Sequence, residues 1–140
     1  MNRVVEKIFD TMMGCVCLPV GGVLRAADVW ASVTFGRVHW LECEVTLGFA
    51  DADELVRMLT GEANESLRAD AAGELCNMIA GGWVDRSYGK REVLMIRPPR
   101  TGIGEVAERS EDAESEMRFS GVYSFGNGRF RVRLRRVDAS

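Results

Sequence analysis

The chain predicts an α+β domain in which helices pack with antiparallel strands and a β-hairpin closes the C-terminal end. Three observations carry this. Apolar residues recur at helical spacing in separate stretches around Val4, Leu55 and Leu75. Strand-like stretches lie between and after them, at 29–47 and 119–137. The two kinds of element interleave without the regular strand-helix-strand rhythm of a doubly wound sheet. With 140 residues, the simplest organisation is one domain over 1–140.

The elements follow in order. Val4, Val5, Ile8 and Phe9, broken by Glu6, Lys7 and Asp10, predict a first helix over about Val4 to Met13. Pro19, Gly21 and Gly22 predict a break after it. Val29 to Val38 and His39 to Leu47 read as strands, with Gly36 and Arg37 in the turn region between them. Trp40, Glu42 and Glu44 alternate with Leu41, Cys43 and Val45, which predicts one solvated face. Asp51 or Asp53 suits the N-cap of a helix that runs through Thr60 and ends at Gly61. The next helix carries Asp70, Glu74 and Asn77 and is expected to end near Gly81-Gly82. Val93 to Ile96 is a short apolar strand stopped by Pro98-Pro99. Gly104 to Met117, rich in Glu, Asp and Ser, reads as an acidic solvated loop. Gly126-Asn127-Gly128 between Phe119–Phe125 and Phe130–Val137 is a hairpin signal.

Composition narrows the function. The chain is 46% hydrophobic and 28% charged, ordinary for a globular protein. A formal net charge of −3 lacks the positive field that broad nucleic-acid binding needs. The charge density of the first helix predicts neither a signal-peptide core nor a membrane span. Cys15, Cys17, Cys43 and Cys76 lack redox or zinc spacing, and His39 is the sole histidine, so a Cys/His metal site is poorly supplied. Reduced, buried thiols of a cytoplasmic protein are the expectation.

The segment from Asp70 to Trp83 is the candidate site. It is small and apolar except for Asp70, Glu74 and Asn77, which stand at i, i+4 and i+7 on one face of a helix. The small residues around them let another surface approach closely. Other residues read more blandly. Glu42 and Glu44 offer no support for a glycosidase-type carboxylate pair, and Trp30, Trp40 and Trp83 are anchors of the core or an interface. Arg129, Arg131, Arg133 and Arg135 alternate along the last strand. They predict a basic solvent face protecting a sheet edge, with an acidic partner or the acidic segment 105–116 as alternatives.

Asp70-x3-Glu74-x2-Asn77 with prolines at 98 and 99 resembles the CheC/CheX/FliY family of chemotaxis phosphatases. The surrounding Glu74-Leu-Cys-Asn77-Met-Ile-Ala-Gly81 is similar to that family's helix, and the likeness extends through the strand-and-helix segment 36–61 and the closing hairpin. A single Glu-x2-Asn motif is like the single-site CheX members. The resemblance implies a homodimer joined partly through strands, and hydrolysis of the aspartyl phosphate on a CheY-type receiver domain. It implies that Asn77 orients the attacking water and that Glu74 docks on the receiver's lysine. Asp70 would tune the docking edge, and Pro98 or Pro99 would support the site. Mg²⁺ would belong to the receiver, with no cofactor on this chain. The alternative is a receiver-binding or switch-complex adaptor of the same fold without turnover.

Overall fold

The computed structural model describes residues 1–24, 26–88, 95–104 and 116–137. Its helices are α1 (Asn2–Ile8), α2 (Phe49–Thr60) and α3 (Arg68–Tyr88). Its strands are β1 (Cys17–Val20), β2 (Val29–Gly36), β3 (Trp40–Leu47), β4 (Met95–Ile96), β5 (Arg100–Ile103), β6 (Met117–Phe125) and β7 (Gly128–Val137). They form one antiparallel sheet in the order β1-β6-β7-β3-β2-β4, with β5 also pairing with β2. The α+β class with its C-terminal hairpin is as the sequence predicts. Phe125 pairs with Gly128, leaving a two-residue turn in which Gly126 takes φ +49°. Glycine at the first turn position accepts that left-handed backbone at little cost.

The core lies between one sheet face and the helices. Val33, Phe35, Cys43, Val45 and Leu47 meet Leu75, Cys76, Ile79, Leu55 and Val56 there, all almost wholly buried. Phe9, Tyr123, Phe125 and Phe130 form an aromatic cluster at the β6–β7 end, with Phe9 stacked on Phe130 at 5.5 Å between ring centres.

Several local expectations are corrected. The first helix turns π-helical over Phe9–Met13 rather than continuing as α. Pro19 does not break the chain but sits in β1, an edge strand where a missing N–H costs least. β2 stops at Gly36, short of Val38. Helix α2 starts at Phe49 with Gly48 as N-cap. Asp51 is instead the third helical residue, accepting from the Gly48 N–H at 3.2 Å, and Asp53 lies inside the helix. Helix α3 does not end at Gly81-Gly82 but runs to Tyr88. A Cβ on Gly82 would lie 2.9 Å from Val4 Cγ1, so this glycine serves close packing of α1 on α3 rather than a left-handed cap. Of the acidic loop, residues 105–115 fall outside the described residues, as do Val93 and Leu94 of the short strand.

The largest correction concerns charge. β7 is an interior strand, so its arginines protect no edge. Glu42 and Glu44 are 5% and 2% exposed, and Arg135 is 3% exposed. Arg135 pairs with Glu42 and lies 3.6 Å from Glu44 Oε2, while Thr46 Oγ1 donates to Glu44 Oε1 at 3.3 Å. The second face of β3 is therefore a buried ionic layer rather than a solvated surface. Of the arginines, only Arg129 stands fully exposed; Arg131 and Arg133 are half-buried.

Candidate functional site

Helix α3 presents two faces of opposite character. Ala71, Ala72, Leu75, Cys76, Ile79 and Ala80 are buried toward the sheet and α2. Asp70, Glu74 and Asn77 are exposed on the other side, as the 3.6-residue period requires. None of these three side chains makes a hydrogen bond or ion pair among the described residues.

The helix beneath them is fastened at several points. At its start, Arg68 grips Asp53 of α2 with two hydrogen bonds, Nε–H to Oδ1 at 2.7 Å and Nη2–H to Oδ2 at 2.9 Å. The same guanidinium lies 4.7 Å from the Phe49 ring centre. This hydrogen bond holds the Asp53 carboxyl below its ordinary range. Midway, Cys76 Sγ donates to the Cys43 carbonyl at 3.2 Å, tying α3 to β3. Towards its C-terminal end, Gly82 seats against Val4 and Ile8 of α1.

The residue before Glu74 explains the proline. Gly73 is buried, and a Cβ there would lie 2.8 Å from Thr101 Cγ2 and 3.8 Å from Pro99 Cβ. Pro99 and the start of β5 thus lie directly against α3 at Gly73. Of the two candidate prolines, Pro99 is the one that packs at Gly73. The glycine is the signal that sequence reasoning passed over: a glycine inside a helix costs about 1 kcal/mol relative to alanine, which points to a packing reason.

The thiols do not compete as reactive groups. Burial pushes Cys17 up to about 12, raises Cys76 well above its ordinary value, and raises Cys15. A thiol held protonated is a poor nucleophile. Among the described residues, no three His, Cys, Asp or Glu side chains gather as a metal cluster. Nor is any described helix long and apolar enough to cross a membrane.

No protein-family model and no curated protein matches the sequence. Solved structures do. The chemotaxis protein CheX of Vibrio vulnificus superposes with a TM-score of 0.77 at 17% identity, covering 96% of this chain and 92% of that one. This chain has the CheX-like fold. CheX of Desulfovibrio desulfuricans gives a TM-score of 0.67 at 20% identity, over 96% of this chain and 95% of that one. CheX in a CheX–CheY–BeF3–Mg²⁺ complex from Borrelia burgdorferi gives 0.73 at 17% identity, over 96% and 94%. The CheX-like fold therefore extends over nearly the whole chain.

Proposed function

We propose that this protein binds a CheY-type receiver domain and hydrolyses its aspartyl phosphate, ending a chemotaxis or related two-component signal. The observation that supports this most is that Glu74 and Asn77 stand exposed, one turn apart and without a partner among the described residues, on a helix fastened at three points along its length. The CheX of similar fold from Borrelia burgdorferi forms a complex with CheY, BeF3 and Mg²⁺, which favours the same class of partner here.

The chemistry asks little of the helix beyond position. An acyl phosphate is already activated, and its transition state is loose, so holding a water in line with phosphorus does most of the work. A carboxamide both accepts and donates hydrogen bonds and stays neutral at working pH. Asn77 accordingly orients the water. The water oxygen bonds to phosphorus as the bond from phosphorus to the aspartyl oxygen breaks. The products are dihydrogen phosphate, which carries both protons of the water and exchanges them with solvent, and a free carboxylate on the receiver. Glu74 docks the helix by pairing with the receiver's lysine, a charge-assisted contact that also sets the register of Asn77. Asp70 contributes negative charge at the rim, and Pro99, behind Gly73, keeps Glu74 at a fixed height above the sheet. Mg²⁺ is carried by the receiver. The reading includes a homodimer, for which the edge strands of the sheet offer pairing positions.

The test is the decay of a panel of phosphorylated receivers with substoichiometric protein, wild type beside Asn77→Ala. Wild type should clear an excess of one receiver's phosphate. Asn77→Ala should lose at least about 100-fold in turnover, the scale of losing one transition-state hydrogen-bonding group, with receiver affinity within a few-fold. One equivalent bound without turnover by wild type would instead make the protein an adaptor.

A further inference from the structure

A groove of about 580 Å³ runs beside the exposed stripe, between α1 and α3. Arg3, Lys7 and Thr11 border it on one side, four residues apart and thus in line along the helical surface. Asn77, Gly81 and Asp85 border it on the other. Asn77 belongs to both features: it is the last polar residue of the stripe and part of the groove wall.

The charges divide at Asn77. On the stripe side stand Asp70 and Glu74. On the groove side stand the cations Arg3, Lys7 and Arg86, opposed only by Asp85 among the lining residues. All three cations are exposed, and none forms an ion pair among the described residues. In a chain of net charge −3 this is a local reversal of sign. The floor is open, since a Cβ on Gly81 would meet nothing within 4 Å. Thr11 turns its hydroxyl to the Lys7 carbonyl at 2.6 Å and leaves the cations as the groove's charged lining on the α1 side.

We propose that this groove is the second half of the docking surface, and that it receives a carboxylate-bearing segment of the receiver beside the phosphoaspartate. The inference rests on the receiver reading given above. A surface that brings an aspartyl phosphate to Asn77 comes up against the α1 side of the groove, because Asn77 and α1 line it together. A phosphoryl site that works with Mg²⁺ needs oxygen ligands, chiefly carboxylates, so an acidic rim beside it follows from its own chemistry. Glu74 selects a cation on one side of Asn77, and Arg3 and Lys7 select anions on the other. Opposite charges at the two ends fix the orientation of docking, because a partner turned end for end meets like charge at both.

The experiment titrates a beryllofluoride-charged receiver, the one whose phosphate the wild type clears, into wild type and into an Arg3→Glu, Lys7→Glu double variant. The double variant should bind about ten-fold more weakly, and with the phosphorylated receiver as substrate the loss should fall on KM rather than kcat. Wild-type affinity should weaken between about 50 and about 300 mM salt, and the variant's should barely change. An Arg3→Lys, Lys7→Arg variant, which keeps both charges, should bind as wild type does. Both substituted side chains are exposed, so the melting temperature should hold and a folding defect would be visible in it. Unchanged affinity and salt dependence in the charge-reversed variant would overturn the proposal while leaving the receiver reading intact. A wild type that neither binds nor dephosphorylates any receiver would overturn both.

Discussion

Glu42 and Glu44 on β3 and Asp70 and Glu74 on α3 are two acidic pairs of similar chemistry in opposite surroundings. The β3 pair is nearly inaccessible and is answered by Arg135. The α3 pair is exposed and has no partner among the described residues. A carboxylate taken out of water needs compensation from a cation and hydrogen bonds, or it destabilises the fold. A carboxylate left in water needs none, and removing it costs the fold little. The contrast separates charge that holds the molecule together from charge that is available to another molecule.

The largest expected effect comes from breaking the buried layer. Arg135→Met keeps the apolar stem but removes the guanidinium that pairs with the buried Glu42 and Glu44. It should lower stability by about 3–5 kcal/mol, read by chemical denaturation. The same measurement on Asn77→Ala should show little change, since an exposed helical amide contributes little to the fold. Equal losses in both would erase the distinction between the two regions.

A smaller effect tests how the exposed stripe is held. Gly73→Val would drive a branched side chain into Thr101 and Pro99, costing about 1–3 kcal/mol by overpacking. Thr101→Ser removes the nearest methyl and should recover part of that loss. Additive behaviour in the double variant would mean that β5 does not brace α3 at this point.

The smallest effect concerns pH. The Arg68 hydrogen bond lowers the Asp53 pKa in the folded state, so its stabilisation is fully present above the ordinary aspartate value near about 3.9. It is lost as pH falls through the lowered folded value, because the unfolded chain takes up the proton first. The melting-temperature gap between wild type and Asp53→Asn should therefore be steady from neutral pH to about pH 5 and narrow below about pH 4. A gap that widened towards acid would reverse the sign and remove the ion pair as its cause.

Much of this was legible in sequence, for identifiable reasons. The face of α3 follows from spacing alone: with Leu75, Cys76 and Ile79 drawn to the core, residues 70, 74 and 77 must point away. The hairpin follows from Gly126-Asn127, where the turn itself selects the residues. Helix ends were less legible, because glycine has two uses. Gly61 ends α2 with φ +84°, whereas Gly82 lies inside α3 and makes room for α1. Nothing local distinguishes those uses.

The sequence by itself determined which residues share a face, because helical and strand periodicities are properties of the backbone. It also determined which residues bear the candidate chemistry. Tertiary structure alone decided what each face meets. It placed β7 beside β3, turning Arg135, one of an apparent solvent-facing row, into the counter-charge of two buried glutamates. It set Pro99 against Gly73 and brought Arg3 and Lys7 alongside Asn77. Those are pairings between residues far apart in the chain, and they depend on sheet order and helix docking, which no local period encodes.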